Sequence, residues 1–251
     1  MRHIYNMVHS TKGVVLRTLK YGDTSIITSI YTELFGIQQY IVKGVRQSTK
    51  TSSGKASYFQ PSAILELEVY HNELKQMQFI KEYRWSYLYE QVLFDVVKNT
   101  VAAYIIELMQ LSLEEPEANP DLYYLIEETL MQLDKSSGTL TGNLPLYFTL
   151  HLAGQLGFML QGTYSAQTPV LDLQEGMFVQ DEPTHPYYIE GNHAMITSQI
   201  LQLTDYKALE NIQLNQVMRR QLLESYQLYL SLHISGFGKM KSYAILQEIL
   251  R

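Results

Sequence analysis

Cysteine is absent from all 251 residues, which removes structural disulfides, thiolate metal sites and cysteine nucleophiles from consideration. A reducing interior suits such a chain. Also missing is any apolar run of the roughly 20 residues that span a bilayer. Leu144 to Leu160 comes nearest, but His151, Gly154, Gln155 and Gly157 interrupt it, and it reads as a buried core helix. The opening MRHIYNMVHS has no apolar block of the kind a secretory signal needs, so a soluble, cytoplasmic protein is expected. Enzyme signatures are lacking as well: there is no phosphate-cradling loop ending in Gly-Lys-Ser/Thr, no Gly-x-Ser-x-Gly elbow and no paired-His helix motif. Ser52 and Lys55 make a Ser-x-x-Lys spacing, but inside a basic, flexible loop that spacing carries almost no information. His185 and His193, with Asp181, Glu182 and Glu190 nearby, match no tight ligand spacing, and no metal is expected.

Negative charge is scarce at the front of the chain. Residues 1 to 60 hold eight Lys and Arg against Asp23 and Glu33, a balance of +6. The remaining residues carry eleven basic and 23 acidic side chains, a balance of −12 that the pI of about 5.6 conceals. A short segment holding the excess positive charge is the electrostatic footprint of a protein that binds a polyanion.

The same segment alternates with period two. In the run Ser25 to Thr32, Ile26, Thr28, Ile30 and Thr32 share one face and Ser25, Ile27, Ser29 and Tyr31 the other. Tyr21-Gly22-Asp23 and Phe35-Gly36 supply the turn glycines that separate three strands, which are expected to form antiparallel hairpins. Ala63 to Tyr70 alternates as cleanly, and Met77 to Trp85 reads as a fifth strand. Five short strands with one long flexible connection predict a small closed Greek-key barrel of the OB type over residues 1–85.

From about Tyr87 the period becomes helical, which predicts an α+β chain with a mostly helical domain over residues 86–251. Val101, Tyr104, Ile105, Leu108 and Leu111 mark the first stripe. Asn119 then offers an N-cap with Pro120 in first helical position, for a helix whose Glu127 and Glu128 face out. Asn143 and Pro145 repeat that start signal for a helix ending near Gln155 and Gly157. Residues 158–195 read as irregular, with two short strands at Met177 to Val179 and Tyr187 to Ile189. Helices resume near Thr197. Leu214, Val217, Met218, Leu222, Tyr226, Tyr229 and Leu232 form a long stripe closed by Ser235 to Gly238, and a last helix covers Ser242 to Leu250.

Lys43, Arg46, Lys50 and Lys55 interleave with Ser, Thr and Gly near Tyr40, Tyr58 and Phe59, a composition that neutralises phosphates and offers rings for base stacking. The competing reading is a solvated loop. Arg219, Arg220, Lys239 and Lys241 either solvate a helical surface or, with exposed Phe237 and Met240, grip an acidic, apolar peptide tail.

Thr11-Lys12-Gly13-Val14-Val15-Leu16, Tyr21-Gly22-Asp23-Thr24-Ser25, Phe35-Gly36 and Val42-Lys43-Gly44-Val45-Arg46 resemble, in order and spacing, the N-terminal domain of the bacterial recombination-repair family RecO. Gln60-Pro61 before Leu65-Glu66-Leu67, Leu156-Gly157-Phe158 and His233 to Phe237 with Lys241-Ser242 extend the resemblance along most of the chain. It implies an OB fold joined to a helical domain, and a mediator rather than a catalyst. Such a protein binds single- and double-stranded DNA, anneals complementary strands, and works with RecR and the tail of single-stranded-DNA-binding protein to help RecA load, in the cytoplasm at the nucleoid. The family's DNA-binding cations map to Arg17, Lys20, Lys43 and Arg46. Many members carry a four-cysteine zinc module after the Leu-Gly-Phe element; Gln161 to Ala194 has no cysteine, so no cofactor is expected. The alternatives are a protein-interaction adaptor with no direct DNA role, in which the acidic helices dock partners, and a metal-dependent nuclease.

Overall fold

In a computed structural model that describes residues 7–46, 54–113 and 116–249, five strands close into a barrel in the order β1-β2-β3-β5-β4. They are β1 (Val8–Tyr21), β2 (Ser25–Thr32), β3 (Gly36–Val42), β4 (Ile64–Tyr70) and β5 (Met77–Tyr87). The OB-type barrel predicted from alternation is present. All pairings are antiparallel except β3 with β5, which run parallel and complete the closure. Ile26, Thr28, Ile30 and Thr32 point inward as the alternation requires, and the core adds Val15, Tyr40, Val42, Phe59, Leu65, Leu67 and Val69. Phe59 arrives from a short 3₁₀ turn (Lys55–Phe59), whose last carbonyl accepts a bond from the Thr18 hydroxyl at 2.7 Å.

β1 serves two partners. Val8 to Val14 pair with β4 and Gly13 to Tyr21 with β2, and the register shifts by one between Val15 and Arg17. Leu16 is the extra residue of this β-bulge, so Val14, Val15 and Leu16 are all buried in succession. At the β2–β3 turn Gly36 is required twice over. Its φ is +60°, and a Cβ there would lie 2.1 Å from the carbonyl oxygen of Glu117.

Residues 113–131 belong to the same compact unit as the barrel (Met1–Glu90 with Leu113–Met131). The first turns of α2 (Pro120–Lys135) start as predicted, with the Asn119 side chain accepting the Leu122 N–H at 3.0 Å. The Asn119 carbonyl accepts the Tyr31 hydroxyl, and Tyr124 donates to Glu33 at 2.6 Å. Glu127 corrects the expectation that it faces solvent: it is buried, ion-paired to Lys12 at 3.0 Å and bonded by the Tyr123 hydroxyl. Its partner is 115 positions earlier in the chain, beyond the reach of helical periodicity. Glu128 does face out.

The second unit (Gln91–Ser112 with Gln132–Arg251) is built on α1 (Val96–Ser112), α3 (Gly138–Gln155), α4 (Gly191–Leu201), α5 (Gln216–His233) and α6 (Lys241–Ile249). Helix α3 is buried almost throughout and is the hub, packed by α1, α4 and α5. Among the described residues no helix is long and apolar enough to cross a membrane. The helix ends at Gln155 as expected but begins earlier than Asn143 and Pro145 suggest, since both lie inside it. Burial of Leu140 and Leu144 on its first turns overrides the local start signal, and Asn143 does other work. Its amide donates to the carbonyls of Leu209 and Ile212 at 3.1 and 2.8 Å and accepts Arg219 Nε at 3.2 Å, tying α5 to α3. The region 158–195 holds three strands rather than two, β6 (Val170–Asp172), β7 (Met177–Val179) and β8 (Tyr188–Glu190), in the order β7-β6-β8. Helix α4 starts at Gly191, ahead of the expected Thr197. In α5 the buried stripe is Leu222, Leu223, Tyr226, Tyr229 and Leu230, while Val217 and Leu232 are exposed.

Helix α6 begins against a remote carboxylate. Glu107 of α1 accepts the backbone N–H groups of Lys241 and Ser242 at 2.9 and 2.7 Å and the Ser242 hydroxyl at 2.5 Å. Burial alone would raise the Glu107 pKa, but these donors and the Lys241 charge outweigh it and hold the carboxyl below its ordinary value. A depressed carboxylate stabilises the fold above its unfolded pKa of about 4.3 and loses that contribution as pH falls through the depressed value. Glu107→Ala is therefore expected to cost about 1 kcal/mol at neutral pH, a figure that allows for solvent screening of this half-buried carboxylate. Glu107→Gln should cost less, and the difference between Glu107→Ala and the parent chain should begin to shrink in urea titrations as pH falls below about 4.3 and continue shrinking as it passes through the depressed value.

Candidate nucleic-acid interface

The bulge at Leu16 reverses the alternation of β1, so Arg17, Leu19 and Tyr21 point away from the core that Val15 enters. Register then sets what lies beside them. Arg17 pairs with Ser29, Ser29 with Gln39, and Gln39 with Met77, a row of outward side chains across β1, β2, β3 and β5. Two residues along, the next row is Leu19, Ile27, Ile41 and Phe79. Leu19 is 49% exposed and Phe79 38%, so four strands share a continuous apolar band open to solvent. Neither β2 nor β3 contains a charged residue. Cations frame the band instead.

Lys43 follows β3, and its ammonium lies 5.5 Å from the centre of the Phe79 ring, a cation–π contact. Lys43, Lys55, Phe79 and Tyr83 line one concavity of about 470 Å³. Lys20 has the inward parity but stands at the exposed mouth of the barrel, where it pairs with Ile26, whose other partner is Val42. Arg46 reaches the same end: its guanidinium donates to the Gly22 carbonyl at 3.0 Å and its N–H to Thr24. Lys20, Lys43 and Arg46 thus gather at the β1–β2 hairpin end, with Arg17 farther along the outer face. Lys50 lies outside the described residues.

Tyr40 requires correction. It is 0% exposed in the barrel core, where burial raises its hydroxyl pKa, and no base can reach its ring. In β3 it shares the inward face with Val42, while Gln39 and Ile41 point out. Phe79, Leu19, Ile27 and Ile41 supply the open apolar surface that Tyr40 was expected to provide. Strand periodicity carried that signal in part, but the β3–β5 register that gathers them is not a local property.

The strand carboxylates are kept to another flank, while exposed Asp23 stands in the β1–β2 turn beside the gathered cations. Glu66 and Glu68 of β4 are paired from β5 by Arg84 and by Lys81 at 2.8 Å. Phosphates brought to β1, β2 and β3 would meet neither glutamate directly.

The helical cations do not make a single patch. Arg219 is spent within its unit, bonded to Asn143 and the Leu214 carbonyl and lying over Gly142, with its pKa lowered by burial. Arg220 pairs with Glu224 at 3.5 Å one turn on. Lys239 and Lys241 are exposed. Met240 is buried rather than exposed, and Phe237 is half-buried, which removes the apolar component expected beside them.

The residues that correspond to a zinc module do not fit the metal. No cysteine exists, and no cluster of three ligating side chains is found among the described residues. The small sheet closes through Asp172 instead. This buried carboxylate accepts the N–H groups of Gln174 and Glu175 at 2.8 and 3.0 Å and faces His185 Nε2 at 3.3 Å.

Comparison with known proteins agrees with this architecture. Residues 7–89 match the family described as Recombination protein O N terminal, and residues 93–244 that described as Recombination protein O C terminal. The DNA repair protein RecO of Christiangramia forsetii is 33% identical over 243 residues, covering 97% of this chain and 99% of its own. Those of Azobacteroides pseudotrichonymphae and Flavobacterium johnsoniae are each 29% identical, over 97% and 95% of this chain and 99% and 98% of theirs.

Tyr40 and Phe79 should separate core from surface. Tyr40→Ala is expected to cost about 3–5 kcal/mol of unfolding free energy in urea, and Phe79→Ala less than about 1.5 kcal/mol. A chelator should leave the thermal midpoint of the parent chain unmoved, because protein groups alone close the small sheet.

Proposed function

The chain belongs to the RecO family of DNA repair proteins, and from that premise we propose that it binds single-stranded DNA across the outer face of β1, β2, β3 and β5 and anneals complementary strands. The observation that carries this reading is the open apolar row Leu19–Ile27–Ile41–Phe79 framed by Arg17, Lys20 and Lys43. OB barrels bind oligonucleotides on the face of their second and third strands, between the loops that flank it. Bases stack on rings and apolar side chains there regardless of sequence, while lysine and arginine take the phosphates.

Annealing follows from charge. Two strands repel through their phosphates, and cations that neutralise each backbone lower that barrier so that pairing can nucleate. In this reading no bond is made or broken by the protein; it is a mediator in the cytoplasm at the nucleoid. With RecR it would help RecA load onto DNA coated by single-stranded-DNA-binding protein, and Lys239 and Lys241 are the helical cations left to meet that protein's acidic tail. The adaptor reading draws on a different observation: Phe94 and Val96, at the start of α1, are 82% and 69% exposed. It requires that DNA binding be absent.

Arg17→Glu with Lys43→Glu tests the proposal on residues that make no ion pair among the described residues. Affinity for single-stranded DNA at low salt should fall about tenfold or more, and the slope of log affinity against log salt should become shallower by about 1.4, with the circular dichroism spectrum unchanged. Arg46→Glu should also loosen the hairpin it holds, which makes it the less clean variant. Unaltered affinity in the double variant, or parent affinity indifferent to salt, would favour the adaptor. Magnesium-dependent loss of the labelled strand would instead favour a nuclease.

A further inference from the structure

The apolar face does not end at Met77. Beside the Arg17–Ser29–Gln39–Met77 row the barrel surface opens into a cavity of about 820 Å³, within the range of organic-ligand sites. Its walls come from the β2–β3 turn, the outer face of β3, the loop between β4 and β5, and Leu113, Pro116 and Ala118, all of one compact unit.

The loop between β4 and β5 is braced. The Gln78 side chain, 2% exposed, accepts the Asn72 N–H at 2.9 Å and donates to the carbonyls of Asn72 and Lys75 at 2.9 and 2.7 Å. The Asn72 side chain accepts the Leu74 N–H at 2.9 Å. This loop holds Leu74 out into solvent, 87% exposed, at the rim of the cavity with Leu34 and Met77. One wall is a ring pair, Phe35 stacked on His71 at 3.9 Å. Three open apolar side chains on fixed backbone have no reason within this unit to be held so.

The polar lining narrows the ligand. Lys75 and Glu73 bring one charge of each sign, so the cavity carries no excess of positive charge to favour a phosphate over a neutral ring. Gln39 and Gln76 present side-chain amides that make no hydrogen bond among the described residues, each with two donors and an acceptor. Apolar walls for a flat ring, with amides for its edge, suit a base swung out of the stack. Gln39 and Met77 belong both to this cavity and to the row that carries Arg17, so a backbone crossing Arg17 passes the entrance.

We propose that this cavity takes an unstacked nucleobase of the bound single strand, its edge met by the amides of Gln39 and Gln76 and its faces by Leu34, Leu74 and Met77. The inference rests on the DNA reading above and adds to it a preference for strands whose bases are free.

The test compares an oligothymidylate with an oligomer of abasic deoxyribose phosphates of equal length, by fluorescence anisotropy on the full chain. The parent should bind the base-bearing strand about tenfold or more tightly than the abasic one. The variant Gln39→Ala, Leu74→Ser, Gln76→Ala, all at exposed positions, should lose about five- to tenfold on oligothymidylate and nothing on the abasic strand. Equal losses on both strands would mean that the cavity serves the backbone, and no loss on either would mean that it holds no base; both overturn the inference and leave the DNA reading standing. A parent chain that binds neither strand sinks both. Leu74→Ser alone, tested with the same pair, separates the apolar wall from the amides and should lose affinity only for oligothymidylate.

Discussion

One extra residue in β1 decides what the barrel shows to solvent. Val15 points inward, and an unbroken strand would send Arg17 after it into an apolar core, where an unpaired guanidinium is untenable. The bulge at Leu16 lets the first half of β1 keep its inward residues against β4 while the second half turns Arg17, Leu19 and Tyr21 outward. The backbone there is anchored from outside the sheet: the Val15 N–H donates to the Ala63 carbonyl at 2.9 Å, and the Val15 carbonyl accepts the Ser62 N–H at 2.8 Å. Those two bonds join the bulge to the approach of β4. The outward rows across β2, β3 and β5 then follow from register alone, because each strand's pleat is fixed by its neighbour.

The positive balance of the front segment overstates what a ligand meets. Lys12 is committed to Glu127 and Arg46 to the Gly22 carbonyl. On β5, which lies beyond the segment, Lys81 and Arg84 answer the carboxylates of β4. Exposed ion pairs of this sort stabilise little, but they cancel charge where it would otherwise compete. What remains of the segment among the described residues is Arg17, Lys20, Lys43 and Lys55, set about an apolar band that holds no acid. Under the proposed reading the arrangement would separate two tasks within one small barrel, with phosphate attraction at the margins and base contact in the middle.

Much of this was legible in the residues. Alternation and turn residues together located all five strands, the turn glycines fell at Gly22 and Gly36 with positive φ, and Asn119 capped α2. Local signals failed where a distant partner decided the outcome. Glu127 lies on what reads as an outward stripe until Lys12 is brought beside it. Asn143 and Pro145 read as a helix start, but the burial of α3 continues through them and turns the asparagine into a tie to α5. β6, three residues long, has no periodicity to read. Tyr40 illustrates the limit for sites: in Gly36 to Val42 both faces of the strand mix apolar and polar residues, so composition near lysines could not say which way the ring points. The register that brings Phe79 beside Ile41 joins strands separated by more than thirty residues of chain, and no short window contains it.

Among the described residues the uncommitted cations are few, which under the proposed reading bears on which nucleic acid the barrel would favour. Four phosphate contacts on a single strand give a salt slope of only about −3, well short of a protein that binds by charge alone. Most of the remaining affinity must come from the apolar band, and that term exists only when bases are accessible: a duplex buries their faces in its own stack and offers this surface little beyond phosphates. Under the proposed reading, the band would favour an unpaired strand over its paired product. If the face grips single strands by their bases as proposed, it would lose that grip as the bases pair, and the charge that brings two strands together would be separable from the apolar contacts that let the finished duplex go.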